Sequence, residues 1–231
     1  MGEKHLENLK KSLRLILGQE ISQFLGGSFI TVLGSLLAGF LGYLYHLLMG
    51  RLLGPSGYGV LASLLSLLYV FSVPTATFSL VATKFAADFK KSRQFLEKTE
   101  KKSFLFSLLF FLFFGALTPL IASFLHLQAL LPILLIGLCL ALGFLVTFKG
   151  AILQGRLNFV PLAVGGTANA AIKLLLGIIF VYFGLGINGA ILPMVIGAIF
   201  SYFYFQHFLT SKEVVVKEET SSPKLTNKEI W

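Results

Sequence analysis

One lysine stands deep inside an apolar stretch of the sequence. Lys173 lies in the stretch 160–182, about 20 Å along a helix from one end and about 14 Å from the other. A charge at that depth in hydrocarbon costs roughly 2.5 to 3.5 kcal/mol on insertion scales, so we expect it to face a wet cavity or a partner. Its ammonium could face such a cavity, or it could donate to carbonyls and hydroxyls of another helix and tie helices together. Four-residue spacing predicts that it shares one helical stripe with neighbouring small and polar residues, namely Gly165, Asn169 and Gly177.

A second stripe of small and polar residues occupies the stretch 28–49 and its end. Its members recur every three or four residues: Thr31, Ser35, Gly39, Gly42, His46 and Gly50. Close helix packing is the favoured interpretation of the glycines, whereas a hydroxyl such as that of Ser35 could line a passage. His46 is either an interfacial residue beside Tyr43 and Tyr45 or a ligand-binding one.

Arrangements typical of catalysis and metal binding are missing from the sequence. It contains no nucleophile–base pairing, paired carboxylates, phosphate-binding loop or histidine cluster. Cys139 is the single cysteine, which excludes an intrachain disulfide and metal–thiolate sites. Every acidic residue falls outside the apolar stretches, so a buried carboxylate for a coupling proton or sodium ion is lacking. We therefore expect no enzymatic activity, no cofactor and no metal.

The composition places these residues in a membrane protein. Of 231 residues, 56% are hydrophobic and 13% charged, against about 25% charged in soluble domains. A membrane-spanning helix needs roughly 20 apolar residues. Six stretches of that kind occur, at about 28–49, 60–83, 103–125, 130–153, 160–182 and 189–209. They lack the short alternation of a barrel strand, so the prediction is an all-α, polytopic membrane protein with about six transmembrane helices in one bundle over 26–210.

Basic residues give the orientation. All lysines and arginines except Arg51 and Lys173 lie before the first stretch, after the second, at or after the end of the fourth, or after the sixth. Retained cytoplasmic loops are enriched in these residues, which predicts that both termini are cytoplasmic. The net charge of +9 thus reflects topology, and we expect no nucleic-acid partner.

The two flanks differ from the bundle. Residues 1–25 combine an apolar face with basic residues, which predicts an amphipathic helix on the cytoplasmic leaflet. Residues 211–231 are rich in Lys, Glu, Ser and Thr and are expected to form a polar cytoplasmic tail or truncated linker.

Three short motifs resemble those of a known transporter family. Residues 50–59 read Gly-Arg-Leu-Leu-Gly-Pro-Ser-Gly-Tyr-Gly, residues 152–155 read Ile-Leu-Gln-Gly, and residues 184–190 read Gly-Leu-Gly-Ile-Asn-Gly-Ala. They are similar to motifs of the polysaccharide-transporter family of oligosaccharide flippases, which shares a superfamily with multidrug extruders and lipid II flippases. Family members usually have two bundles of six helices around a central cavity, so the resemblance implies that the chain is the N-terminal half, or a fragment, of such a transporter.

The resemblance implies a function and a set of site residues. The substrate would be a polyprenyl-diphosphate-linked oligosaccharide, moved across the plasma (inner) membrane of a prokaryote by alternating access. Lys173 midway, Arg51 at the outer mouth, and Lys84 and Arg156 at the inner mouth would meet the diphosphate. Asn169, Ser35 and His46 complete the substrate-binding candidates. Expected partners are this lipid-linked substrate, membrane lipid, and a second six-helix half or another copy of the chain.

Two other functions stay open at this point. The chain could be half of a multidrug-type extruder, although cationic drugs favour buried carboxylates. It could also be a non-transporting membrane scaffold or degenerate remnant that binds glycan-assembly enzymes.

Overall fold

A computed structural model describes the backbone of residues 2–87, 89–125 and 129–210, and the side chains of residues 26–87, 100–125 and 129–210. The described backbone forms five α-helices: α1 (Gly2–Ala87), α2 (Phe89–Phe124), α3 (Leu131–Gly155), α4 (Phe159–Phe180) and α5 (Gly186–Thr210). A short π-helical turn, Val181–Leu185, joins α4 to α5. Every regular element in the described residues is helical, which confirms the all-α prediction. The amphipathic face predicted for 1–25 depends on side chains outside the described ones, and the tail predicted for 211–231 lies outside the described residues.

Helix α1 reverses direction at Gly54. This residue has φ 69° and ψ 176°, a conformation that is essentially restricted to glycine, and Pro55 follows it. His46 Nδ1 and Tyr58 Oη lie 3.1 Å apart, although twelve residues of straight helix would separate them by about 18 Å along the axis. We call residues 26–53 the first arm of α1 and residues 55–87 its second arm.

A similar reversal separates α4 from α5. Gly184 and Gly186 both have positive φ, at 85° and 54°. Beyond the turn, Gly189 lies so close to Phe180 that an added Cβ would come within 3.0 Å of its carbonyl oxygen. The two helices then pack antiparallel, with Asn169 bonded to Ser201 and Gly165 against Phe205.

The remaining contacts define the direction of each helix. Helices α2 and α3 form an antiparallel pair, in which Ser107 Oγ donates to the carbonyl of Ala141 at 2.6 Å. The second arm runs parallel to α3. Phe78 of the arm contacts Phe144 near the middle of α3, and Thr83 of the arm lies close to Gly155 at the end of α3. The first arm runs parallel to α4, with Gly27 against Phe159 and Gly177 against Tyr45. Consecutive helices and arms therefore alternate in direction.

The described helices carry the surface of a membrane protein. Four helical stretches are long and apolar enough to cross a bilayer: Gly26–Ala87, Glu100–Phe124, Leu131–Gly155 and Phe159–Thr210. The first and last of these contain the two reversals. Large apolar side chains such as Phe29, Leu36 and Phe124 are exposed along them, as expected where lipid replaces water.

Candidate functional site

Lys173 lies above an aromatic ring between α4 and the first arm. Its Nζ is 4.1 Å from the centroid of Tyr45, and the lysine is half-buried. Tyr45 is fully buried, and its hydroxyl donates to the carbonyl of Ala190 at 2.9 Å, which fixes the ring. Among the described residues, Lys173 makes no hydrogen bond or ion pair. The ammonium is therefore stabilised by the face of the ring while its hydrogen-bonding capacity is unused.

The predicted stripe on α4 does not lie on one face. Gly165 and Asn169 face α5, where Asn169 Nδ2 donates to Ser201 Oγ at 3.1 Å. Lys173 and Gly177 instead face the first arm at Tyr45. Residues four apart in a helix of 3.6 residues per turn rotate by about 40° at each step, so twelve residues turn through about 120°. Asn169 is thus engaged in the α4–α5 interface, and Lys173 alone of this pair faces the first arm.

His46 follows Tyr45 and connects the two arms of α1. Its Nδ1 lies 3.1 Å from the hydroxyl of Tyr58, and its ring meets both tyrosines edge to face. Arg51 is exposed near the reversal at Gly54. Both therefore lie toward the same end of the helices as the α1 turn, at and beyond the level of Lys173.

Ser35 lines a cavity at the opposite end of the first arm. The cavity has a volume of about 690 Å³ and lies between the first arm, the end of the second arm, and the loop from α3 to α4. We call it the Ser35 cavity. Five of its lining side chains are polar: Ser28, Thr31, Ser35, Thr83 and Gln154. The predicted inner-mouth residues adjoin it in sequence, since Lys84 is exposed beside Thr83 and Arg156 is half-buried beside Gly155.

One hydrogen bond gives the distance between the cavity and Lys173. Thr167 Oγ1 donates to the carbonyl of Gly34 at 3.2 Å, which aligns α4 with the first arm beside Ser35. Lys173 lies six residues further along α4, or about 9 Å. The seven predicted site residues thus form two groups: Ser35, Lys84 and Arg156 near the cavity, and Asn169, Lys173, His46 and Arg51 beyond it.

Two of the first-arm glycines do not pack closely within the described helices. A Cβ at Gly39 or Gly42 would meet nothing within 4 Å, whereas one at Gly34 would come within 2.8 Å of Ala163. Gly34 therefore packs closely in this arm, as does Gly27 against Phe159. Gly39 and Gly42 lie between Ser35 and His46 and leave open space there.

A buried lysine was missed by the sequence analysis. The Lys149 side chain is 4% exposed, and its Nζ donates to Glu100 Oε1 at 2.7 Å and to Gln206 Oε1. The Tyr202 ring lies 4.6 Å away. The network joins α2, α3 and α5. The signal that could have found it is that Lys149 falls inside the predicted stretch 130–153, one helical turn before its end.

Comparison with known families agrees with this architecture. The long apolar helices of the described residues are those of a membrane protein. The chain matches the model of the polysaccharide biosynthesis protein family over residues 24–228, and it belongs to that family. No curated protein and no solved structure matches the chain.

Proposed function

We propose that this chain is a six-span half of a polysaccharide flippase in the plasma membrane of a prokaryote. The two reversals divide the apolar helices into six segments that alternate in direction. In this topology both termini are cytoplasmic, the Ser35 cavity opens toward the cytoplasm, and the Gly54 turn lies outside. Family membership supports a role in polysaccharide biosynthesis, and the absence of a catalytic motif in the sequence favours transport over enzymatic activity.

The half-buried ammonium of Lys173 is the observation that carries the proposal. A lysine within a bilayer is costly unless it reaches water or a counter-charge. The Tyr45 ring offsets part of that cost and leaves the ammonium able to bind an anion. A diphosphate is such an anion.

The substrate would pass from the Ser35 cavity toward Lys173. Lys84 and Arg156 would attract the diphosphate at the cytoplasmic mouth, and Ser35 and Thr31 would contact its oxygens or the sugar. Lys173 would then meet the phosphates about 9 Å further along, with Arg51 beyond it. A membrane potential negative inside favours outward movement of anions by roughly 2.3 kcal/mol per charge per 100 mV. Export would thus need no buried carboxylate in this half.

A second bundle would complete the pathway. The first arm exposes Phe29, Leu36 and Phe40, and Gly39 and Gly42 leave space beside them. A second six-helix half or another copy of this chain would pack against this face. The two bundles would rock against each other, so that the site between them opens to one side of the membrane at a time.

The test is glycan export in cells in which this chain and its complement support surface polysaccharide. Lys173→Ala should abolish export while membrane insertion stays intact, and Lys173→Arg should retain part of it because the charge remains. Lys101→Ala, at an exposed lysine away from the pathway, is the matched control. Undiminished export by Lys173→Ala would defeat the assignment, and export unaffected by deletion of the chain would indicate a scaffold.

A further inference from the structure

A second cavity lies between the second arm of α1, α2 and α3, away from Lys173. Its volume is about 360 Å³, within the roughly 300 to 1,000 Å³ of small-molecule sites. Five phenylalanines line it: Phe71, Phe78, Phe106, Phe110 and Phe144. We call it the phenylalanine cavity.

Contacts between the phenylalanine rings join the helices that form this cavity. Phe144 contacts both Phe78 and Phe106 with ring centroids 4.9 Å apart, and Phe71 contacts Phe110 at 6.3 Å. Along α2 the lining extends from Lys102 to Phe110, or about 12 Å. An elongated apolar space along a helix axis suits one hydrocarbon chain, because the surrounding bilayer offers acyl chains rather than water.

One end of the cavity is polar and cationic. Lys102 lines that end and is exposed. Ser103 lines it as well, is only 2% exposed, and within the described part of the chain its Oγ has no hydrogen-bond partner. A buried hydroxyl without a partner is unfavourable, so this position favours a guest that supplies an acceptor. A phosphate oxygen would accept from both the Ser103 hydroxyl and the Lys102 ammonium.

We propose that the phenylalanine cavity binds an anionic membrane phospholipid, with one acyl chain between the phenylalanines and the phosphate at Lys102 and Ser103. This lipid is a bound ligand distinct from the transported substrate. With the orientation proposed above, the site opens to the cytoplasmic leaflet, whose anionic lipids attract basic residues near the surface.

The experiment is native mass spectrometry of the full chain, purified in detergent and titrated with phosphatidylglycerol or phosphatidylcholine. The parent should bind phosphatidylglycerol more tightly than phosphatidylcholine. Lys102→Gln should weaken phosphatidylglycerol binding by about fivefold, the effect of one basic residue near an anionic lipid, and leave phosphatidylcholine binding unchanged. Ser103→Ala should weaken phosphatidylglycerol binding as well. Lys101→Gln removes an exposed lysine that does not line the cavity and should change the Kd by less than about twofold.

Several outcomes would overturn the proposal. Equal binding of the two lipids by the parent would do so, as would equal losses of phosphatidylglycerol binding in Lys101→Gln and Lys102→Gln.

Undecaprenyl phosphate is titrated in parallel, because it is also an anionic amphiphile. If it displaces phosphatidylglycerol at lower concentration with the same dependence on Lys102, the occupant is a polyprenyl carrier instead. An unfolding temperature equal to that of the parent confirms that each variant is folded. Lipid binding is measured on the purified chain, so a failed export test would not change this result.

Discussion

Two lysines inside the helical bundle are stabilised in different ways. Lys149 is almost fully buried and donates to Glu100 and Gln206, so its charge is compensated within the protein. Lys173 is half-buried and contacts the Tyr45 ring. A paired charge fixes neighbouring helices, whereas a cation without a carboxylate can still bind an anion. The first lysine therefore joins α2, α3 and α5, and the second is the candidate for substrate.

Substituting Glu100 or Lys149, the two charged residues of this network, should have unequal effects on stability. Glu100→Ala leaves a buried ammonium without its carboxylate and should lower the free energy of unfolding by about 1 to 3 kcal/mol. Lys149→Met removes the buried charge at similar volume, and the half-exposed Glu100 can then be hydrated, so the loss should stay below about 1 kcal/mol. Thermal unfolding of both variants in detergent measures the difference. A larger loss in Lys149→Met would contradict this account of the network.

The sequence singles out Lys173 but not Lys149, for a physical reason. Lys173 lies near the middle of an apolar stretch, where its cost is evident from position alone. Lys149 lies one turn from the end of its stretch, where a lysine usually reaches the headgroups. Its partners Glu100 and Gln206 are 49 and 57 residues away, so the pairing depends on how three helices pack. The aromatic partner of Lys173, Tyr45, was equally unpredictable because it belongs to a different helix.

At the scale of the elements, the two reversals determine what each helix contacts. The predicted stretches 28–49 and 60–83 leave residues 50–59 between them. The reversal instead needs one non-helical residue, Gly54, and the helix resumes at Pro55. Proline at the first helical position loses no hydrogen bond, which suits this abrupt restart. The tight turn brings His46 against Tyr58.

Substitution of Gly54 should therefore be far more harmful than substitution of a nearby helical glycine. Gly54→Ala forces a Cβ into a backbone conformation that costs about 1 to 3 kcal/mol for other residues. Gly59→Ala is the matched control, since its Cβ would meet nothing within 4 Å and alanine favours helix by up to about 1 kcal/mol. Unfolding midpoints in detergent should fall for Gly54→Ala and stay level or rise for Gly59→Ala. Equal midpoints would show that the reversal is not held at Gly54.

Helical periodicity predicted the elements better than their faces. The all-α class followed directly from six apolar stretches, because isolated strands cannot satisfy their backbone in lipid. The faces were less predictable: the α4 stripe winds from α5 toward the first arm, so Asn169 and Lys173 separate. Gly39 and Gly42 leave space where packing was expected, since sequence does not show which face a neighbouring helix covers.

At the scale of the whole molecule, the alternating helices place the two groups of site residues at different depths. The Ser35 cavity lies at the end shared by Ala87, Gly155 and the start of α4. Arg51 lies near the opposite end of the first arm. If the bundle crosses the membrane as proposed, these groups face opposite compartments, and Lys173 lies between them.

Thiol labelling in intact cells tests that orientation. In a Cys139→Ala background, Arg51→Cys should react with a membrane-impermeant maleimide added outside. Lys84→Cys should react only after the cells are permeabilised, because the proposed orientation places Lys84 at the cytoplasmic end of the second arm. Both side chains are exposed, so access rather than burial decides the result. The reverse pattern would invert the proposed topology.

The most direct measurement asks whether water and anions reach position 173. In the same background, Lys173→Cys and Leu175→Cys are each treated with a charged methanethiosulfonate reagent in membranes. Leu175 is 59% exposed and lies two residues away at nearly the same depth, so it reports on a lipid-facing thiol. Only a thiolate reacts, and thiolates form where water reaches the sulfur. The account predicts that Lys173→Cys is labelled much faster than Leu175→Cys and is protected by polyprenyl diphosphate. Labelling no faster than at position 175 would contradict a pathway through Lys173.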